Sequence, residues 1–158
     1  MATYLEWFGL LVLPAFLLLD LVHRARRFRV PRGWRALGFA VTVGAFALSL
    51  FVAGFWGSVF DGVSLLPGDR LGFAGGTLVG ILVYELGHYW YHRTAHAWQP
   101  LWLAAHQMHH APESLDAFGA YFLSPLDVVA FTTLSSLVLF PLLGLTLEAG
   151  LAASGFIA

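Results

Sequence analysis

Between Glu85 and Pro112 the chain reads E-L-G-H-Y-W-Y-H-R-T-A-H-A-W-Q-P-L-W-L-A-A-H-Q-M-H-H-A-P and holds six of its seven histidines. Imidazole is the commonest protein ligand for transition metals near neutral pH. Residues four apart lie on one face of a helix. His88, His92 and His96 therefore form one stripe (i, i+4, i+8), and His106, His109 and His110 (i, i+3, i+4) share another. A turn around Pro100 would bring the two stripes together around one or two metal ions. Glu85, one turn before His88, is placed as a further ligand or as an acceptor orienting a ring N–H. Without metal, so many polar rings beside a bilayer would lack partners, which is expensive. The cluster is read as metal-binding, and the isolated His23 as a packing or interfacial residue.

The donor set narrows the chemistry. There is no cysteine, which excludes disulfides, thiolate-held metals and iron–sulfur clusters. The zincin pattern H-E-x-x-H is absent, because Tyr89 follows His88 where a general-base Glu would stand. A membrane zinc hydrolase is thereby disfavoured. Soluble di-iron bundles use several carboxylates and Glu-x-x-His pairs, and Glu85-x-x-His88 is the one such pair in this stretch. Paired haem ligands would face one another across separate spans, which contiguous clusters do not suit. A histidine-rich, non-haem site at a membrane surface remains.

The rest of the chain has to place that site. Its 158 residues are 59% hydrophobic and only 11% charged, against roughly 25% charged in soluble domains. The expected fold class is therefore all-α, an integral membrane helical bundle of about four transmembrane helices plus the start of a fifth. The expected spans are Tyr4 to Val22 with Pro14 inside it, Ala36 to Phe60, Leu71 to His96, and Leu126 to Leu145 interrupted at Pro141. Gly38, Gly44 and Gly54 in the second span would permit close helix contacts. Thr146 to Ala158 reads as the beginning of a fifth apolar helix that stops, as if the chain were cut short. Acidic Glu6 before the first apolar run, and basic residues after it, argue for a retained helix over a cleaved signal peptide.

All eight basic residues are arginines, and Arg24, Arg26, Arg27, Arg29, Arg32 and Arg35 crowd the loop from His23 to Arg35. By the positive-inside rule that loop is cytoplasmic and the N-terminus lies outside. So apolar a chain argues against nucleic-acid binding. The opposite loop, Asp61 to Arg70, is a run of turn formers. From Leu71 to His96 a continuous helix would run for about 39 Å, past a hydrocarbon core of about 30 Å. His92 and His96 then reach the cytoplasmic interface. Tyr89, Trp90, Tyr91, Trp98 and Trp102 read as an interfacial aromatic belt.

The residues now carry a resemblance. His92-Arg93-Thr94-Ala95-His96, followed by His106-Gln107-Met108-His109-His110, resembles the HxxxH and HxxHH boxes of the fatty acid hydroxylase/sterol desaturase superfamily. Tyr89-Trp90, Trp102 and Ser124-Pro125-Leu126-Asp127 fit the same pattern, and the histidine-box region spans residues 85–127. The resemblance implies one membrane domain over residues 1–158, with a di-iron centre (two iron ions, zinc a possible substitute) on the cytoplasmic face. It implies use of O₂ and two electrons to hydroxylate or desaturate a lipid. The partners it implies are the membrane lipid and an electron donor of cytochrome b5, ferredoxin or reductase type. By matching positions His92, His96, His106, His109 and His110 are the implied ligands, with His88 a further candidate and Glu85 in a supporting role. Members of the superfamily carry a third histidine box, which this chain ends without. Ser124 stands where several members have a histidine. The alternative expectation is therefore a catalytically incomplete, metal-binding membrane fragment.

Overall fold

The computed structural model describes residues 11, 14–22, 31–113 and 116–157. Residues 4–10, 12 and 13 of the expected first span (Glu6 among them), His23 and the arginines from Arg24 to Arg29 lie outside the described residues. Among the described residues every regular element is helical, and three helical stretches are long and apolar enough to cross a membrane.

The first labelled helix, α1 (Trp34–Val59), starts immediately after Gly33, whose φ of 81° a side-chain-bearing residue rarely adopts. Its 26 residues rise about 39 Å, and Phe46, Phe51 and Phe55 are exposed, as suits a helix facing lipid. Of the three glycines expected to allow close contacts, only Gly38 does so. A Cβ there would lie against the carbonyl oxygen of Phe118, whereas Gly44 and Gly54 have nothing near them. The latter two stand on parts of the helix with no described neighbour.

A loop and a short 3₁₀ turn (Gly68–Leu71) lead to α2 (Gly72–Ala97), which runs unbroken through the first three cluster histidines. The chain then turns at Trp98, in extended conformation, and enters the short α3 (Gln99–Ala104). Pro100 was expected to mark the break and instead lies in the first turn of α3. A missing N–H costs nothing there, while the ring could not have continued α2. After a 3₁₀ turn (His106–Met108) and the single-turn α4 (Ala117–Ala120) comes α5 (Pro125–Leu137). It widens into a π-helical turn at Val138–Leu142 containing Pro141. The predicted interruption at Pro141 is thus spread over five residues. Gly144, with φ 65°, reverses the chain into α6 (Leu147–Ile157), whose 11 residues rise only about 16 Å.

Packing fixes the order of these helices. Gly76 and Gly80 of α2 sit against Ala149 and Ala153 of α6, so the two run side by side in the same direction. Tyr84, Val138, Leu139, Leu143, Leu145, Ala149 and Ala153 form the buried apolar core between them. The carbonyls freed by the π turn and the residue after it are taken up by the preceding loop: Leu65, Leu66 and Gly68 donate to Pro141, Leu142 and Leu143. On the other side, α1 is tied to α5 by Trp56 Nε1 donating to Thr133 (2.8 Å) and Thr132 donating to Ser49 (3.1 Å). At the opposite end from the π turn, Trp34 Nε1 donates to Asp116 (2.9 Å) and its ring packs on Phe122. The start of α1, the end of α2 and the start of α5 therefore share one end of the bundle. The histidines sit there.

Candidate metal centre

Three elements build the site. The last turns of α2 project His92 and His96 from one face, with Nε2 atoms 3.0 Å apart. The extended Trp98 and short α3 fold the chain back, and the 3₁₀ turn brings His106 and His110 over that face, their Nε2 atoms 3.2 Å apart. Ring centroids close the square: 4.5 Å from His92 to His106 and 4.7 Å from His96 to His110. One ring nitrogen from each of the four lies within 4.8 Å of the others. Nitrogen ligands at about 2.0–2.1 Å from a transition ion lie roughly 3–4 Å apart around it. The four rings are thus near ligating separation, and the donor set fits such an ion.

The other two expected ligands flank this group. His109 is half-buried, 5.5 Å from the His106 ring and 5.2 Å from that of His110, and its buried Nδ1 has no hydrogen-bond partner. Such an orphaned atom is costly unless something binds it. His88, also half-buried, stacks edge-on against Phe131 (4.9 Å) and lies 6.0 Å from His92. Burial pushes the His109 and His110 imidazoles below their ordinary range, and the neighbouring His106 ring adds to the effect in both. Neutral imidazole is the ligating form.

Glu85 is half-exposed and approaches His88 Nδ1 only to 3.6 Å, away from the four-histidine group. The carboxylate that touches the group belongs to Asp127. It is fully buried, as is His106, and its Oδ2 lies 3.2 Å from His106 Nδ1. Its Oδ1 accepts from the Tyr91 hydroxyl at 2.6 Å. Ser124, lacking a ligating ring, caps α5: its Oγ accepts from the Asp127 N–H at 3.0 Å. Sequence reasoning named Ser124-Pro125-Leu126-Asp127 without giving Asp127 a task. The readable signal was the Ser-x-x-Asp spacing of a helix start, which places the acid in the first turn.

The aromatic residues divide. Tyr89, Trp90 and Trp98 are exposed, as a belt requires. Tyr91 turns inward to Asp127, and Trp102 lies against the rings of His96 (5.2 Å) and His110 (5.4 Å). A shallow cleft lined by His96, Ala97, Gln99 and Trp102 opens beside the cluster.

Against known proteins, the model of the family described as fatty acid hydroxylase matches residues 77–158, a stretch that contains all six clustered histidines and Asp127. No curated protein and no solved structure matches the chain.

Proposed function

This chain belongs to the fatty acid hydroxylase family, and from that premise we propose that it is a membrane-bound, non-haem di-iron oxidoreductase that uses O₂ to hydroxylate or desaturate a lipid. The observation that carries the reading is the convergence of His92, His96, His106 and His110 within the family-matched region. These four would hold one iron, and His88 and His109 stand beside them as donors toward a second. Iron bound there supplies the activation of O₂ that an unreactive C–H bond requires. Hydroxylation balances as RH + O₂ + two electrons + two protons giving ROH and water, so the reaction needs an electron donor, which we take to be of cytochrome b5, ferredoxin or reductase type.

The protein's own contribution is placement. An all-imidazole set adds no negative charge to the metal, which leaves it strongly Lewis-acidic. The apolar lengths of α2 and α5 lead up to the cluster at the membrane interface, so an acyl or sterol substrate would reach it from the bilayer. Arg32 and Arg35 lie at the same end of the bundle as the histidines, through the Trp34–Asp116 bond. By the positive-inside rule this supports a cytoplasmic-facing centre. As proposed, residues 1–158 form a single domain with its histidine-box region at 85–127.

A second reading is a metal-binding membrane module without turnover. It is favoured by the size of the four-nitrogen group, which suits one ion. The test is O₂ consumption by purified protein in lipid nanodiscs with iron and a chemical reductant, and mass spectrometry of the lipids. The oxidoreductase reading expects a lipid gaining one oxygen atom or losing two hydrogens. Iron-replete protein that consumes no O₂ and leaves the lipids unchanged would overturn it in favour of the second.

A further inference from the structure

We propose that Asp127 and Tyr91 form a positioning pair that fixes which nitrogen of His106 is offered to the metal. The proposal rests on the metal-centre reading above and deepens it. An imidazole ligand must present a bare lone pair, and a neutral ring has only one. His106 Nδ1 lies 3.2 Å from Asp127 Oδ2. A carboxylate oxygen accepts, so the hydrogen of the neutral ring belongs on Nδ1. Nε2 is then left bare, and it is the atom that faces His110 Nε2 at 3.2 Å.

Asp127 is in turn held at three points. Tyr91 donates to its Oδ1 at 2.6 Å, Ser124 Oγ takes its backbone N–H at 3.0 Å, and its place in the first turn of α5 sets a carboxylate at the positive end of a helix. Tyr91 precedes His92 in α2, so its bond to Asp127 also sets the first histidine pair against the element that orients His106. Because His106 and Asp127 are both fully buried, water cannot replace either partner. The carboxylate–histidine arrangement is a general way of orienting a ligand and raising its basicity.

The experiment uses the full chain in detergent, titrated with Co²⁺, together with ¹⁵N NMR of histidine ring nitrogens in the metal-free protein. The His106 signals are assigned by their loss in His106→Leu. In the wild type His106 is expected to be protonated at Nδ1 and bare at Nε2. Asp127→Asn should weaken Co²⁺ binding by about 10- to 100-fold and remove that preference for Nδ1. Tyr91→Phe should act in the same direction to a smaller extent. Thr146→Ala, which removes the bond from the Ala149 N–H at the start of α6, at the end of the bundle away from the histidines, should lower stability and leave Co²⁺ affinity unchanged. A folded Asp127→Asn with wild-type affinity, or a wild-type His106 protonated at Nε2, overturns the proposal. If Asp127→Asn does not fold, Tyr91→Phe decides by the same two measurements. If the wild type binds no Co²⁺, the metal-centre reading fails, while the NMR result still decides the orientation of His106.

Discussion

Replacing His106 by leucine should separate what this residue does for the fold from what it does for metal. The ring is fully buried, and its Nδ1 lies 3.2 Å from an equally buried Asp127 carboxylate. Leucine fills the space and takes away the donor. Breaking a buried pair by removing one partner costs about 3–5 kcal/mol. Asp127 keeps the Tyr91 hydroxyl at 2.6 Å and its place at the helix start, so the lower end, about 3 kcal/mol, is expected. Asp127→Asn keeps the shape while removing the charge that needs a partner. In the double variant the loss should therefore be less than additive by about 2 kcal/mol, in the range of a hydrogen bond to a charged group. Metal binding should follow a different rule: lost in His106→Leu and not restored in the double variant. The assay is equilibrium unfolding of the chelator-treated protein in micelles, followed by far-UV circular dichroism, beside a Co²⁺ titration. A His106→Leu protein within about 0.5 kcal/mol of wild type, or strict additivity in the double variant, would mean that His106 and Asp127 are not coupled as a buried pair.

Other expectations follow from separate parts of the molecule. Gly38→Ala would set a methyl group against the Phe118 carbonyl, a backbone atom that cannot rotate away. Thermal unfolding should show a loss of about 1–3 kcal/mol from overpacking, whereas Gly44→Ala, in open space, should be neutral or slightly stabilising. His109 and His110 are held below the ordinary histidine range, so the unfolded chain binds more protons than the folded one between their lowered values and about 6.5. The metal-free protein should thus lose stability as pH falls through that window and show no contribution from these groups above it, in unfolding titrations from pH 7.5 to 5. Trp102→Ala removes the ring packed on His96 and His110 and should speed Co²⁺ release by chelator, seen in stopped-flow absorbance, with the fold retained.

The long spans could be read from the chain because apolar runs were bracketed by Pro and Gly. Ala36 to Phe60 and Leu71 to His96 were expected, and Trp34–Val59 and Gly72–Ala97 are found. The two histidine stripes were legible for the same reason: spacing within a helix is local. What escaped was long-range. Asp127 is 21 residues from His106 and 36 from Tyr91, and no local pattern says that a residue so polar will be fully buried. Glu85 drew attention because it lies one turn from His88, yet its face of α2 is half-exposed. Tyr91 differs from Tyr89 and Trp90 only in direction, and the direction depends on where α5 lies. Pro100 broke the pattern in the expected region, but one turn of helix could accommodate it, which moved the break to Trp98.

A transition metal held jointly by His92, His96, His106 and His110 is the centre of the proposed chemistry. Elemental analysis of the full chain, purified in mild detergent after iron supplementation, measures this directly when repeated with all four changed to alanine. At least one tightly held ion per wild-type chain, and none in the variant, is the expected result. Equal metal content in the two proteins, or a wild type that retains none, would contradict it.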